Sequence, residues 1–102
     1  MNLRPVLLLS AAFAASGPLQ ANPQLAQQRA CMACHTVDKK VVGPSYKDVA
    51  AKYAGQAGAA DKLAEKIVKG GVGVWGAVPM PANPKVSPAE AKQLAEWILS
   101  LK

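Results

Sequence analysis

Cys31-Met32-Ala33-Cys34-His35 decides how this chain is read, because it sets two thiols and an imidazole in one pentapeptide. The spacing C-x-x-C-H is that of covalent haem attachment. Two intervening residues let both sulfurs reach the vinyl groups of one porphyrin as thioethers, and the adjacent imidazole then lies beneath the iron as its proximal ligand. Cys31, Cys34 and His35 are therefore expected to hold one covalent haem c. Other uses of the motif fit less well. A redox-active dithiol of the thioredoxin kind needs a surrounding βαβ pattern, and none is visible. Zinc needs four ligands, whereas the chain has two Cys and one His. A lone disulfide would be thin support for a small secreted domain.

Upstream of the motif, Met1-Asn2-Leu3-Arg4 carries positive charge and Val6 to Ala15 is a short apolar run without an ionisable group. That is the pattern of a secretory signal peptide. The run is about half of the roughly 20 apolar residues that a spanning helix needs. Leu19-Gln20-Ala21 ends in the small residue wanted at a cleavage point, with Ala15-Ser16-Gly17 as a second choice. The expected division is a signal peptide over residues 1–21 and one domain over 22–102, in the periplasm. No cysteine follows Ala21 directly, so lipid attachment there has no support. A core from about 80 residues is marginal unless a disulfide framework, metal or cofactor supplements it.

Downstream, short amphipathic helices alternate with Gly and Pro, with no repeat, low-complexity tract or strand ladder. The expected class is all-α. Asn22-Pro23 caps and starts a helix to about Ala30, whose apolar stripe, Leu25 and Ala26, is weak. Ser45 caps a second, with Tyr46, Val49, Ala50 and Tyr53 on one face and Gly55 at its end. A third spans about Ala59 to Lys69, placing Ala60, Leu63, Ala64 and Ile67 together ahead of Gly70-Gly71. Ser87-Pro88-Ala89-Glu90 is a capping box with proline at the first helical position, and Ala91, Leu94, Ile98 and Leu101 form the stripe of the fourth.

Val72 to Val86 holds two Gly and three Pro and is no regular helix. A loop of that length in so small a domain is uncommon unless it has a function. It contains Met80, which counting selects as the second axial ligand. The chain has three Met and a single His; Met1 leaves with the leader, and Met32 is tethered on the proximal side. Pro79 and Pro81 stiffen the backbone around Met80, useful for holding a weak ligand. The other reading of Met80 is a gap-filling core residue. His/Met coordination would raise the reduction potential.

The formal net charge is +6, with basic residues scattered along the chain rather than gathered in a run. Export and scatter together disfavour nucleic acid as a partner. No serine-histidine-acid arrangement or phosphate loop is present, and the only histidine is committed to iron, so no enzymatic activity is expected.

These residues match a family. The chain resembles the small class I bacterial cytochromes c, most nearly the cytochrome c-551 type found as periplasmic electron donors in denitrifying bacteria. The likeness rests on the attachment motif, on Val42-Gly43-Pro44-Ser45-Tyr46-Lys47-Asp48-Val49-Ala50, on Gly73-Val74-Trp75-Gly76, on Pro79-Met80-Pro81 and on Asn83. It implies a class I cytochrome c fold, about four short helices wrapped around one haem. It also implies electron transfer through a His35/Met80-ligated haem, to a nitrite reductase or terminal oxidase. The alternative is a gas-binding or peroxide-reacting haem protein with an open iron site.

The resemblance further implies that the Pro44 carbonyl accepts from Nδ1 of His35, where Pro44 is otherwise a loop proline. It implies that the Trp75 indole bonds a haem propionate, where the other reading is a core tryptophan bonded to a backbone carbonyl. It sets Asn83 near the Met80 sulfur, where the other reading is a turn residue before Pro84. Lys66 stands where an arginine near a propionate is common, or is a solvated helix face. Two departures bear on packing: Ala26 stands near a place usually aromatic, and Ala30 replaces a common glycine. Asn83-Pro84-Lys85-Val86 is one residue longer than the commonest pattern. The expected partners are periplasmic redox proteins, a donor and an acceptor, met by a monomer without stable membrane insertion.

Overall fold

In the computed structural model, which describes residues 23–102, helices form at Pro23–Gln28 (α1), Tyr46–Tyr53 (α2), Ala59–Lys69 (α3) and Pro88–Leu99 (α4). A 3-10 turn at Cys31–Ala33 carries the first cysteine. The expected signal peptide and the Asn22 cap lie outside the described residues. Among those described, extended pairing is limited to isolated bridges joining His35 to Lys40 and Gly71 to Met80, so the all-α class holds.

Two helices start as their sequences dictate. Ser45 Oγ accepts from the Asp48 N–H at 3.1 Å. At α4, Ser87 Oγ accepts from the Glu90 N–H at 3.1 Å while Glu90 Oε1 accepts from the Ser87 N–H at 3.1 Å, a complete capping box. Each such cap contributes about 1 kcal/mol by satisfying donors that the first helical turn leaves orphaned.

Helix α4 is the element on which α1, α2 and α3 all pack. Leu94, Ala95 and Ala91 are the most deeply buried of its side chains, and around them gather Tyr46 and Val49 of α2, Leu63 and Ile67 of α3, and Val86. Two details of the expected stripes shift. In α3 the buried row is Ala59, Leu63 and Ile67, with Ala60 and Ala64 only half-buried. The two large side chains set the row, and Ala59 falls one turn before them. Leu101 lies beyond the end of α4 and packs only in part.

Helix α1 stops at Gln28, short of the expected Ala30. Ala30 takes the left-handed conformation, φ 61°, which turns the chain into the 3-10 turn of the motif. A Cβ makes that conformation costly, so glycine would suit the position better. Contact between the terminal helices survives the loss of an aromatic: Ala26 is fully buried in one cluster with Ala91 and Ala95. A bidentate ion pair reinforces the junction, with Arg29 Nη2 donating to Glu90 Oε2 at 2.8 Å and Oε1 at 3.1 Å.

Two measurements check this account. Ala30→Gly should raise the stability of the haem-loaded protein by about 1 kcal/mol, read as a higher denaturant midpoint with unchanged slope, since it relieves the left-handed strain. The Arg29 guanidinium, and then the Ser87 N–H, hold the Glu90 carboxyl below its ordinary pKa of 4.5. A depressed folded-state value gives stability that is full above pH 4.5 and lost as pH falls through the lower folded value. Glu90→Gln should therefore lower stability at neutral pH and flatten its acid dependence, as followed by unfolding at a series of pH values.

Candidate haem site

The 3-10 turn builds one side of the site. The Cys31 carbonyl accepts from the Cys34 N–H at 3.2 Å and the His35 N–H at 3.0 Å, folding the pentapeptide on itself. The Cys34 carbonyl then accepts from the Val42 and Gly43 N–H groups at 3.2 and 2.8 Å, which brings residues 35–43 back over the motif. Both cysteines are half-buried and unpaired. Burial pushes the Cys31 thiol above its ordinary range.

The returning chain places the Pro44 carbonyl 2.8 Å from His35 Nδ1. A carbonyl only accepts, so Nδ1 carries the proton and Nε2 keeps its lone pair, the tautomer a metal ligand requires. The contact expected of Pro44 is thus present. Gly43 serves the same ring. A Cβ there would stand 2.4 Å from Cε1 and 2.8 Å from Nδ1 of His35, so no side chain is tolerated without moving the imidazole. In the sequence Gly43 stands only as one residue of the stretch Val42 to Ala50 that carries the family resemblance. Tyr46, read as part of a core stripe, also turns out to face the site, stacked on His35 with centroids 5.2 Å apart and planes at 21°. Burial raises its hydroxyl far above the ordinary tyrosine range, so the ring stays neutral.

The loop after α3 supplies the other side. Met80 exchanges both backbone hydrogen bonds with Gly71, N–H to O at 2.8 Å and O from N–H at 3.0 Å. Its proline neighbours have no N–H to donate. Gly70, with φ 72°, lies so close that a Cβ would be 2.4 Å from the Met80 carbonyl oxygen; a glycine is required on both counts. Asn83 ties the loop to the end of α3: its Nδ2 donates to the Ile67 carbonyl at 2.8 Å and its N–H to the Val68 carbonyl at 3.1 Å. The amide thus acts on carbonyls at that helix end. Trp75 lines the cavity, with Lys52 Nζ 5.0 Å from its ring centroid.

Between these two sides lies a cavity of about 360 Å³, to which Cys31, Cys34, His35, Pro44, Trp75 and Met80 all contribute. Leu63, Ile67, Leu94 and Ile98 give it an apolar floor, and Lys66 reaches it. The size is that of cofactor sites generally, which run roughly 300–1,000 Å³. An apolar lining, two thiols at one side and an imidazole with a free Nε2 suit a covalent porphyrin. Among the described residues no three His, Cys, Asp or Glu gather to hold a metal ion, so a zinc set is not assembled. Asn83 stands outside the cavity lining.

A small all-α fold closed around an apolar cavity with a C-x-x-C-H turn on its wall defines a c-type cytochrome. The sequence pattern of the cytochrome c family matches residues 20–102. The chain is 60% identical to cytochrome c-552 of Hydrogenobacter thermophilus over 95 residues, 93% of this chain and 96% of that protein. It is 52% identical to cytochrome c-551 of Pseudomonas aeruginosa over 97 residues, 94% of this chain and 92% of that one. The crystal structure of Nitrosomonas europaea cytochrome c552 superposes with a TM-score of 0.78 at 57% identity, covering 79% of this chain and all of the other. The chain therefore belongs to the cytochrome c family, as a small class I member. It is an electron carrier that works with redox partners and carries one covalently bound haem c, with Cys31 and Cys34 in the C-x-x-C-H frame.

The close approach at Gly43 is directly testable. Gly43→Ala should displace the imidazole and cost about 1–3 kcal/mol by overpacking, read as a lower midpoint in denaturant. A variant as stable as the parent would show that the ring has room to yield.

Proposed function

We propose that residues 22–102, freed of a signal peptide over 1–21, act as a periplasmic carrier of single electrons whose haem iron is ligated by His35 and Met80. Cys31 and Cys34 attach the haem. The observation that carries the reading is the 2.8 Å contact between His35 Nδ1 and the Pro44 carbonyl, which leaves Nε2 unprotonated in a cavity that Met80 also lines. The haem supplies a one-electron change of iron valence, at a potential that methionine ligation raises. Around it, Pro44 keeps the tautomer, Gly70 and Gly71 seat the Met80 backbone, and Asn83 fastens that loop to α3. Trp75 and Lys66, at the cavity, offer donors to the propionates. No helix among the described residues is long and apolar enough to cross a membrane, which fits a carrier that diffuses.

Partner docking is assigned to the haem edge near Cys31 and Cys34. Val42, 50% exposed, is an apolar side chain bordering that opening, and the excess of lysine over acid steers toward acidic partner surfaces. A small interface of this kind lets partners meet and part quickly. By the resemblance to cytochrome c-551, the acceptor is a nitrite reductase or a terminal oxidase.

Replacing Met80 tests the ligand set. Met80→Ala should abolish the weak far-red absorption of the oxidised protein and admit carbon monoxide to the reduced haem. Retention of the band and of carbon monoxide exclusion would remove Met80 from the iron. Ready carbon monoxide binding by the parent protein would favour a gas-binding or peroxide-reacting role. Charge steering predicts that stopped-flow electron transfer to an acidic acceptor slows about 10-fold or more as salt is raised. A flat profile would assign encounter to apolar contact instead.

A further inference from the structure

The His35 ring is held by two backbone groups and one side chain. Its Nδ1 donates to the Pro44 carbonyl at 2.8 Å. Gly43 borders the same edge of the ring: a Cβ there would stand 2.4 Å from Cε1, 2.8 Å from Nδ1 and 3.0 Å from Nε2. Both contacts act at one edge of the ring. A hydrogen bond through one nitrogen still lets a ring rock about the N–H···O direction, so it leaves the plane of the imidazole loosely determined.

The side-chain contact supplies what is missing. Tyr46 lies stacked on the imidazole, centroids 5.2 Å apart and planes 21° from parallel. A flat face resists rocking in a way that an aliphatic side chain of equal volume does not. Tyr46 is itself well held. It is 3% exposed, and its N–H donates at 2.9 Å to the carbonyl of Thr36, the residue after His35. Its ring meets Trp97 of α4 edge-on, with centroids 5.3 Å apart and planes at 68°. Stacked and edge-to-face pairs are the two geometries that aromatic quadrupoles favour. A continuous aromatic ladder therefore runs from α4 through Tyr46 to the imidazole.

We infer that Tyr46 is a positioning residue for the iron ligand: its ring, braced by Trp97, sets the plane in which His35 presents Nε2 to the cavity. The inference rests on His35 being the ligand. The plane of an axial imidazole decides how its π orbital overlaps the iron d orbitals, and so how unpaired spin is shared among the four pyrrole rings. Tyr46 thus tunes the electronic structure of the oxidised state without touching the metal.

The test compares haem-loaded, oxidised parent protein with Tyr46→Phe, Tyr46→Leu and Trp97→Leu by proton NMR. The paramagnetic shifts of the four haem methyl groups report the spin distribution. In the parent, strongly shifted imidazole ring protons establish His35 as ligand, and their absence overturns that reading by itself. With them present, Tyr46→Phe should keep the order and spread of the methyl shifts. Tyr46→Leu should reorder or compress them while the optical spectrum and imidazole signals persist, and Trp97→Leu should give a smaller change in the same sense. Parent-like shifts in Tyr46→Leu would overturn the inference, as would a Tyr46→Phe change equally large or a change traced to the Met80 resonances. If Tyr46→Leu does not accumulate with haem, Trp97→Leu decides: an altered pattern supports the inference and an unaltered one overturns it.

Discussion

The hydrogen bond from His35 Nδ1 to the Pro44 carbonyl, 2.8 Å long, is the contact on which the rest of the site depends. A typical intramolecular hydrogen bond adds only about 1 kcal/mol net to stability, so its weight here is chemical. It selects one tautomer out of two, and with it the nitrogen left free for a metal. For that bond to form, the chain must leave the attachment turn, reverse within a few residues and return. The Cys34 carbonyl enforces the reversal by accepting from Val42 and Gly43 together. Gly43 then has to be a glycine because the ring passes where its Cβ would stand.

A site of this kind needs a scaffold that a chain this short can barely supply. Helix α4 provides it by serving three packing partners at once, with Ala91 and Ala95 fully buried and Leu94 and Ile98 where the cavity floor begins. The segment leading into the attachment turn is anchored to the same helix by Arg29 and Glu90. Glu90 does two jobs there, completing the cap of α4 and accepting the guanidinium. Arg29 and Glu90 keep 34% and 25% of their side-chain surface exposed, so the pair is screened and holds geometry more than it contributes energy. The strain left at Ala30 shows that the connection is held despite its local cost.

On the other side, a long loop is made dependable by few contacts placed at its ends. Gly71 and Met80 exchange their backbone hydrogen bonds, closing the loop between them, and Asn83 fastens the chain just beyond to the last carbonyls of α3. The residues in between, Val72, Val74, Trp75 and Val78, line the cavity. Met80 is thereby held from its backbone, which suits a thioether ligand that binds weakly and has flexible torsions of its own.

Much of this was legible in the residues themselves. The attachment motif, the helix caps and the helix stripes are local or periodic, so short-range chemistry determined the cofactor class, the helix starts and most of the core. Elimination among three methionines put Met80 forward as the candidate second ligand without any fold. What tertiary structure decided are relations between distant residues. Gly43 has an ordinary backbone conformation and is required only because an imidazole approaches it, which no turn rule reveals. Tyr46 reads as a core residue by its spacing, yet in space it joins His35 to Trp97. Asn83 reads as a turn residue or, by resemblance, as a neighbour of sulfur, while its amide reaches a helix carbonyl sixteen positions back. Arg29 and Glu90 lie 61 residues apart, and only the packing of α1 on α4 brings their charges together. Sequence periodicity reports which face of an element is buried; the partner on that face is settled by how the elements cross.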